Sequence, residues 1–108
     1  MTPAKMIVMY PQPTDLETFE HRYANEHLPM VVAKLAGKTR FVASLITGSA
    51  GGVTVPFHRM AEIYFPSMQA LENCLHSVGG QETLEHSVEI STGGVPVFLM
   101  AEVRSLDF

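Results

Sequence analysis

Leu16, Phe19, Tyr23, His27 and Met30 recur at steps of three and four residues, the period of one helical stripe turned toward a core. The stripe carries a lone imidazole. Ahead of it, Thr14-Asp15-Leu16-Glu17 reads as a capping box, with the Thr14 hydroxyl placed for the Glu17 backbone N–H and the Glu17 carboxylate reaching back, so a helix starts at Asp15. Pro29 lacks the N–H that would bond the Asn25 carbonyl, and its ring crowds the preceding turn. The helix should therefore kink or restart beside His27, leaving a titratable ring next to an unpaired carbonyl.

The rest of the chain alternates between compact apolar runs and further helical periods. Lys5 to Tyr10 is a short apolar strand ended by Pro11 and Pro13. After the break, Met30 to Ala36 continues as helix, and Gly37 supplies the left-handed position that commonly ends one. Arg40 to Thr47 and Pro56 to Phe65 read as two strands of a long hairpin joined by Gly48-Ser49-Ala50-Gly51-Gly52. Pro66 stops the second of these, Ser67 caps a helix through Met68, Leu71, Leu75 and Val78, and Gly79-Gly80 is expected to stop it. A shorter helical piece from Glu82 to Glu89, a turn at Ser91-Thr92-Gly93-Gly94 and a strand from Val95 to Val103 complete the chain.

This order is strand, helix, strand, strand, helix, strand: an α+β, ferredoxin-like βαββαβ arrangement with a four-stranded antiparallel sheet, in one domain over residues 1–108. Two helical layers cover only one face of such a sheet. Yet Ile7 and Met9 alternate with Met6, Val8 and Tyr10, and Val97, Leu99 and Ala101 alternate with Phe98 and Met100, so both faces are apolar. An antiparallel sheet open to water on one side shows polar residues there. The second face therefore predicts a cover, and the simplest is a second copy of the chain, giving a dimeric α+β barrel and a homodimer of twofold symmetry.

Composition narrows the partners. A net charge of −4, with seven Lys and Arg residues scattered along the chain, argues against nucleic acid or an anionic membrane. The apolar fraction of 46% is enough for a real core. One cysteine permits no internal disulfide, and the N-terminal residues show no signal-peptide pattern, so the cytoplasm is the expected compartment. No apolar run is long enough to span a bilayer.

The strand ending in Tyr10-Pro11, the helix with Phe19 and Tyr23, then His27-Leu28-Pro29, the strand end from Glu62 to Phe65 and the Gly-bounded closing strand resemble the EthD family, the ethyl tert-butyl ether degradation proteins of the dimeric α+β barrel superfamily. The resemblance runs from about Met6 to about Val103, and the His-x-Pro helix is its most specific part. It implies a homodimer with a pocket between the sheet and helices of each protomer. Proteins of this architecture include cofactor-independent monooxygenases, haem-degrading enzymes and muconolactone isomerases. The segment from Gly79 to Ile90 departs from the family pattern: where an acid followed by an aromatic is expected, Glu85, His86 and Val88 stand.

His27 is the leading candidate for chemistry, since an imidazole exchanges a proton near neutral pH with a substrate held in an apolar pocket. The plain alternative is a core histidine bonded to the carbonyl freed by Pro29. Tyr23, one turn earlier, is placed to orient a substrate oxygen or His27 itself; Tyr10, Phe19, Met30 and Tyr64 are candidate substrate contacts. Glu62, costly in an apolar strand, should pair with Arg59 or a histidine. His21 and His58 are expected at the surface or an interface, and His76 and His86 at helix ends as dipole compensation. Cys74 reads as a buried small hydrophobe, and most of the seven methionines as core filler. The glycines from Gly48 to Gly52 precede no helix and so form a loop rather than a phosphate site. No metal-ligand spacing occurs.

Three functions fit. The first is a small cofactor-independent oxidoreductase or monooxygenase-like enzyme acting on an apolar or aromatic compound in ether or xenobiotic catabolism, with His27 as acid or base and no metal. The second is an accessory protein that holds such a ligand for a partner oxidase. The third is an isomerase or lyase of the muconolactone isomerase type, or a haem-handling protein with His27 as axial ligand.

Overall fold

The computed structural model describes residues 1–108 and runs β1 (Ala4–Pro11), α1 (Leu16–Arg22), one π-helical turn (Tyr23–His27), α2 (Leu28–Lys34), β2 (Arg40–Leu45), β3 (Phe57–Phe65), α3 (Met68–His76), α4 (Val78–Ile90) and β4 (Val97–Glu102). The four strands form one antiparallel sheet in the order β2-β3-β1-β4. This is the expected α+β ferredoxin-like topology, with each of its two helices divided in two.

Period-two alternation sorts the sheet. Ala4, Met6, Val8 and Tyr10 of β1 and Ala61, Ile63 and Phe65 of β3 are buried under the helices, where they meet Phe19, Leu71 and Ile90. Removing each of the larger side chains from water contributes roughly 1.5–3 kcal/mol. The opposite face is set by the register: Ile7 lies between Glu62 and Leu99, Met9 between Met60 and Val97, and Lys5 between Tyr64 and Ala101. Leu99 and Val97 are exposed there, so the second face is apolar, as the strand pattern predicts, apart from a polar group around Lys5, Glu62 and Tyr64. Glu62 pairs with Lys5 at 2.6 Å rather than with Arg59. Positions 59 and 62 lie on opposite faces of β3, and Arg59 instead bonds Glu20 of α1.

The start of the first helix differs from the capping-box reading. Asp15 is the N-cap, its carboxylate accepting from the Thr18 N–H at 3.0 Å and the Thr18 hydroxyl at 2.8 Å. A charged acceptor binds these donors more strongly than a hydroxyl does, and the Thr14 hydroxyl turns away to donate to the Thr92 carbonyl. The break at Pro29 is a π-helical turn: the Leu28 N–H reaches the Tyr23 carbonyl five residues back. Pro29 then sits in the first turn of α2, where no N–H is needed. That helix ends at Lys34 with Leu35 as its C-cap, short of the expected Ala36, and Gly37 takes its φ of +88° in the turn beyond.

Gly79 and Gly80 do not stop a helix; they begin one. Ser77 caps α4 by accepting from the Gly80 N–H at 3.0 Å, and it donates to the Cys74 carbonyl at 2.6 Å. A Cβ on Gly80 would overlap the Cys74 carbonyl oxygen, and one on Gly79 the Lys34 carbonyl oxygen. The pair is therefore a close-approach site that lets α4 start directly against α3 and α2, and α4 extends well beyond the short piece expected from Glu82 to Glu89. Gly80→Ala should lower the stability by about 2–3 kcal/mol through overpacking, whereas Gly48→Ala, with open space around it, should stay within about 0.5 kcal/mol. Urea unfolding midpoints of the two variants check this, and a neutral Gly80→Ala would overturn it.

Candidate functional site

The π-helical turn carries His27 inward until only 5% of the residue is exposed. Its Nε2 lies 3.3 Å from the hydroxyl of Tyr10, at the end of β1, and its Nδ1 lies 2.9 Å from Nδ1 of His86, on α4. The Nε2 of His86 lies 3.0 Å from the Glu26 carboxylate, which also binds Arg22, and Arg22 in turn reaches Glu89 at 2.6 Å. A continuous chain of hydrogen-bonding groups thus runs from the sheet to the surface.

The two imidazoles meet edge to edge. Their planes are within 8° of parallel and their centroids are 5.2 Å apart. That separation exceeds the 2.9 Å between nitrogens by about two ring radii, so both nitrogens lie on the line joining the centroids and the contact is a linear in-plane hydrogen bond, not a face-to-face stack. Glu26 then orients the chain. A carboxylate only accepts, so a neutral His86 presents Nε2–H to it and leaves Nδ1 as acceptor; His27 must donate from Nδ1, and the Tyr10 hydroxyl donates to the His27 Nε2 lone pair.

Burial, to which repulsion from any proton on the neighbouring His86 adds, lowers the pKa of His27 to about 4, so the ring is neutral at pH 7. Burial also pushes the Tyr10 phenol up, keeping it protonated as a donor. Arg22, and then His86, hold Glu26 down to about 2. Beside this chain lies a narrow cavity of about 20 Å³, room for one water molecule. Tyr10, His27, Thr83 and Ser87 give it polar edges, and Leu84 and Phe41 are half-buried in its apolar wall.

The structure brings together His27, Tyr10, Phe19 and Tyr23 but redistributes their roles. Phe19 supports the site from below, edge-on to Tyr10 at 5.2 Å and stacked on Tyr23. Tyr23 stacks on His27, yet its buried hydroxyl has no hydrogen-bond partner, so Tyr10 and not Tyr23 orients the imidazole. Burial pushes the Tyr23 phenol up to about 12. Met30 lies outside, in an open groove with Glu82, Glu85, His86 and Glu89. Tyr64 is on the opposite face of the sheet, under Lys5 and Arg40, because it alternates with the buried Ile63 and Phe65. His27 makes no use of the Asn25 carbonyl, since both ring nitrogens are engaged elsewhere. An axial haem position would require His27 to release one of these two partners.

Sequence reasoning missed His86 and Glu26. His86 is inside α4 rather than at a helix end; the one signal for it was its departure from the expected acid-then-aromatic pattern. His58 is half-buried and bonds Glu20 at 2.9 Å, whereas His76 is exposed at the end of α3. Glu26, His86 and Glu89 bring ligand atoms within 4.8 Å of one another, and Arg22 already pairs with both carboxylates. No helix is long and apolar enough to cross a membrane.

The profile of the EthD domain matches residues 11–89, from the end of β1 almost to the end of α4. The chain belongs to the EthD family. Its fold is similar to that of an EthD family protein from Bacillus halodurans C-125, with 24% identity, a TM-score of 0.84, and coverage of 94% of this chain and 99% of that one. A dimeric protein of unknown function and ferredoxin-like fold from Bacteroides fragilis NCTC 9343 aligns over 94% of this EthD chain and 96% of its own, with 11% identity and a TM-score of 0.66. SnoaB, a cofactor-independent oxygenase from Streptomyces nogalater, aligns over 98% and 97%, with 12% identity and a TM-score of 0.66. A comparison with curated proteins finds no match.

The buried imidazole has a consequence for stability. An unfolded histidine binds protons below about pH 6.5, whereas folded His27 resists them down to about 4. The unfolded state therefore binds more protons in this window, and stability falls as pH drops through it. Relative to His27→Leu, the wild-type EthD protein should lose roughly 3 kcal/mol between pH 6.5 and 4. Urea titrations across the window measure it, and parallel pH profiles for the two proteins would refute the buried neutral ring.

Proposed function

We propose that this EthD protein is a cytoplasmic homodimer that abstracts a proton from a small apolar or aromatic compound without a cofactor, in the manner of an oxidoreductase or monooxygenase-like enzyme of xenobiotic catabolism. The observation that carries this reading is the neutral, buried His27, whose Nε2 lone pair lies at the cavity edge beside a phenol that stays protonated. A base and a hydrogen-bond donor side by side suit a substrate whose acidic C–H or O–H sits next to a carbonyl or ring oxygen. The proton passes to His27 Nε2, and its electron pair stays on the substrate as an enolate or phenolate. The Tyr10 hydroxyl, released from its 3.3 Å bond to Nε2, donates to that oxyanion. Such an anion reduces dioxygen, expels a leaving group or takes the proton back at another carbon. Oxygenation leads because the fold is shared with a cofactor-independent oxygenase; elimination and isomerisation are the lyase and isomerase alternatives. A substrate larger than water requires the lining side chains to move, since the cavity offers only about 20 Å³.

With a panel of phenols and aryl ketones, followed by dioxygen uptake and by solvent deuterium incorporation, His27→Ala should lower turnover by about 10²–10⁴-fold. Tyr10→Phe should lower it by about 10²-fold. Unchanged turnover in His27→Ala would sink the enzyme reading and leave the accessory one, a holder of the ligand for a partner oxidase.

The homodimer rests on the apolar second face of the sheet and on the dimeric relatives of the same fold. Light scattering at micromolar concentration should give twice the chain mass, and Leu99→Glu on that face should give a monomer. A stable wild-type monomer would overturn the assembly.

A further inference from the structure

The groove outside the site is lined by Met30, Glu82, Glu85, His86 and Glu89, and the His86 ring joins it to the buried His27. Resting on the reading of His27 as a base, we propose that His86, oriented by Glu26, accepts the Nδ1 proton of His27 and so moves the positive charge of catalysis out of the core.

A proton taken by His27 Nε2 would make an imidazolium in an apolar site, which burial opposes. The linear in-plane contact offers a way around that cost. As the substrate proton arrives at Nε2, the Nδ1 proton crosses to Nδ1 of His86, 2.9 Å away. His27 remains neutral with its hydrogen now on Nε2, and His86 becomes the cation, facing the Glu26 carboxylate at 3.0 Å. No proton is lost or gained by the chain beyond the one taken from the substrate. When the Nε2 proton is returned to the substrate-derived anion, the His86 Nδ1 proton falls back and the resting order is restored.

The surroundings suit a cation on His86 better than on His27. From the first helical layer Glu26 and Arg22 face it; on its own helix Glu82, Glu85 and Glu89 line the groove, and Met30 of α2 is the apolar neighbour. Arg22 is shared between Glu26 and Glu89, and Lys34 is paired with Glu82, so Glu85 remains as a further carboxylate in the groove. Around His27, by contrast, the neighbours are Tyr10, Tyr23 and Val31, with no carboxylate in contact. His86 does not line the inner cavity, and it acts through His27 as a positioning residue. It selects the tautomer that turns a lone pair toward the substrate. The reverse orientation would set the bare His86 Nε2 against a carboxylate oxygen, two acceptors 3.0 Å apart.

Long-range proton–nitrogen NMR spectra of the ¹⁵N-labelled protein at pH 7.5, with no ligand added, read each ring nitrogen directly. Wild-type His27 is expected as the Nδ1–H tautomer. In His86→Leu and in Glu26→Gln that preference should fall at least tenfold, so that both tautomers become visible, while Glu89→Gln leaves it unchanged. His27 found as the Nε2–H tautomer in the wild type, or an Nδ1–H preference that persists in both variants, would overturn the relay. Circular dichroism and elution volume confirm that each variant is folded. Because the spectra need no turnover, an inert enzyme with the expected tautomer shifts refutes the base alone, and an active enzyme without them refutes the relay alone.

Discussion

Pro29 removes one donor from the helical run between β1 and β2, and the site depends on how the chain absorbs that loss. A proline in a helix interior clashes with the carbonyl four residues back. The chain instead widens the preceding turn by one residue, bonding the Leu28 N–H to the Tyr23 carbonyl, and α2 restarts with Pro29 in a position that needs no donor. An extra residue in a turn rotates every later side chain relative to an ideal helix. Within that turn His27 stays on the buried side with Tyr23, while Glu26 reaches the surface beside Arg22. One backbone constraint thus places an imidazole inside and a carboxylate outside, a residue apart in sequence.

The second requirement is that α4 come close enough for its side chains to meet the π-helical turn. Gly79 and Gly80 permit this by removing side-chain volume where α4 passes the carbonyl oxygens of Lys34 and Cys74. With that approach made, His86 and Ser87 fall on the side of α4 turned toward the sheet, and their partners are His27 and the neighbourhood of the Tyr10 hydroxyl. The polar edges of the cavity therefore come from β1, the π-helical turn and α4 together. No two of these are neighbours in sequence.

That distribution explains what the chain revealed on its own. The topology was legible because period two and period 3.6 are local properties, and the strands at Lys5 to Tyr10 and Pro56 to Phe65 are each flanked by prolines or glycines. The apolar second face was equally plain, since Ile7, Met9, Val97 and Leu99 stand at alternate positions. The placing of His27 at a helix break followed from Pro29. What could not be read was any pairing across the fold. Thr14 lost the cap to Asp15 because a neighbouring charge competes for the same N–H. Tyr64 was offered to the pocket because one strand's alternation does not say which face is covered until a buried neighbour such as Ile63 is known. His86 passed as a helix-end residue because Gly79-Gly80 has two meanings, a stop or a close approach, and only the position of the Lys34 carbonyl distinguishes them.

The same geometry bears on why a buried histidine is tolerated here at all. An imidazole in an apolar site needs partners for both nitrogens, and a core normally supplies them from backbone carbonyls, which accept and leave the second nitrogen wanting a donor. At His27 the two partners differ in kind: a phenol that burial keeps protonated, and a second imidazole whose free lone pair is held in place by a carboxylate. The donor on one side and the acceptor on the other satisfy a neutral ring completely in a single tautomer, without a charge in the core. The Nε2 lone pair of such a ring is masked for as long as the Tyr10 hydroxyl donates to it. At 3.3 Å that bond is longer than the usual range for such a contact, and it is the longest link of the chain that runs from Tyr10 through His27 and His86 to Glu26.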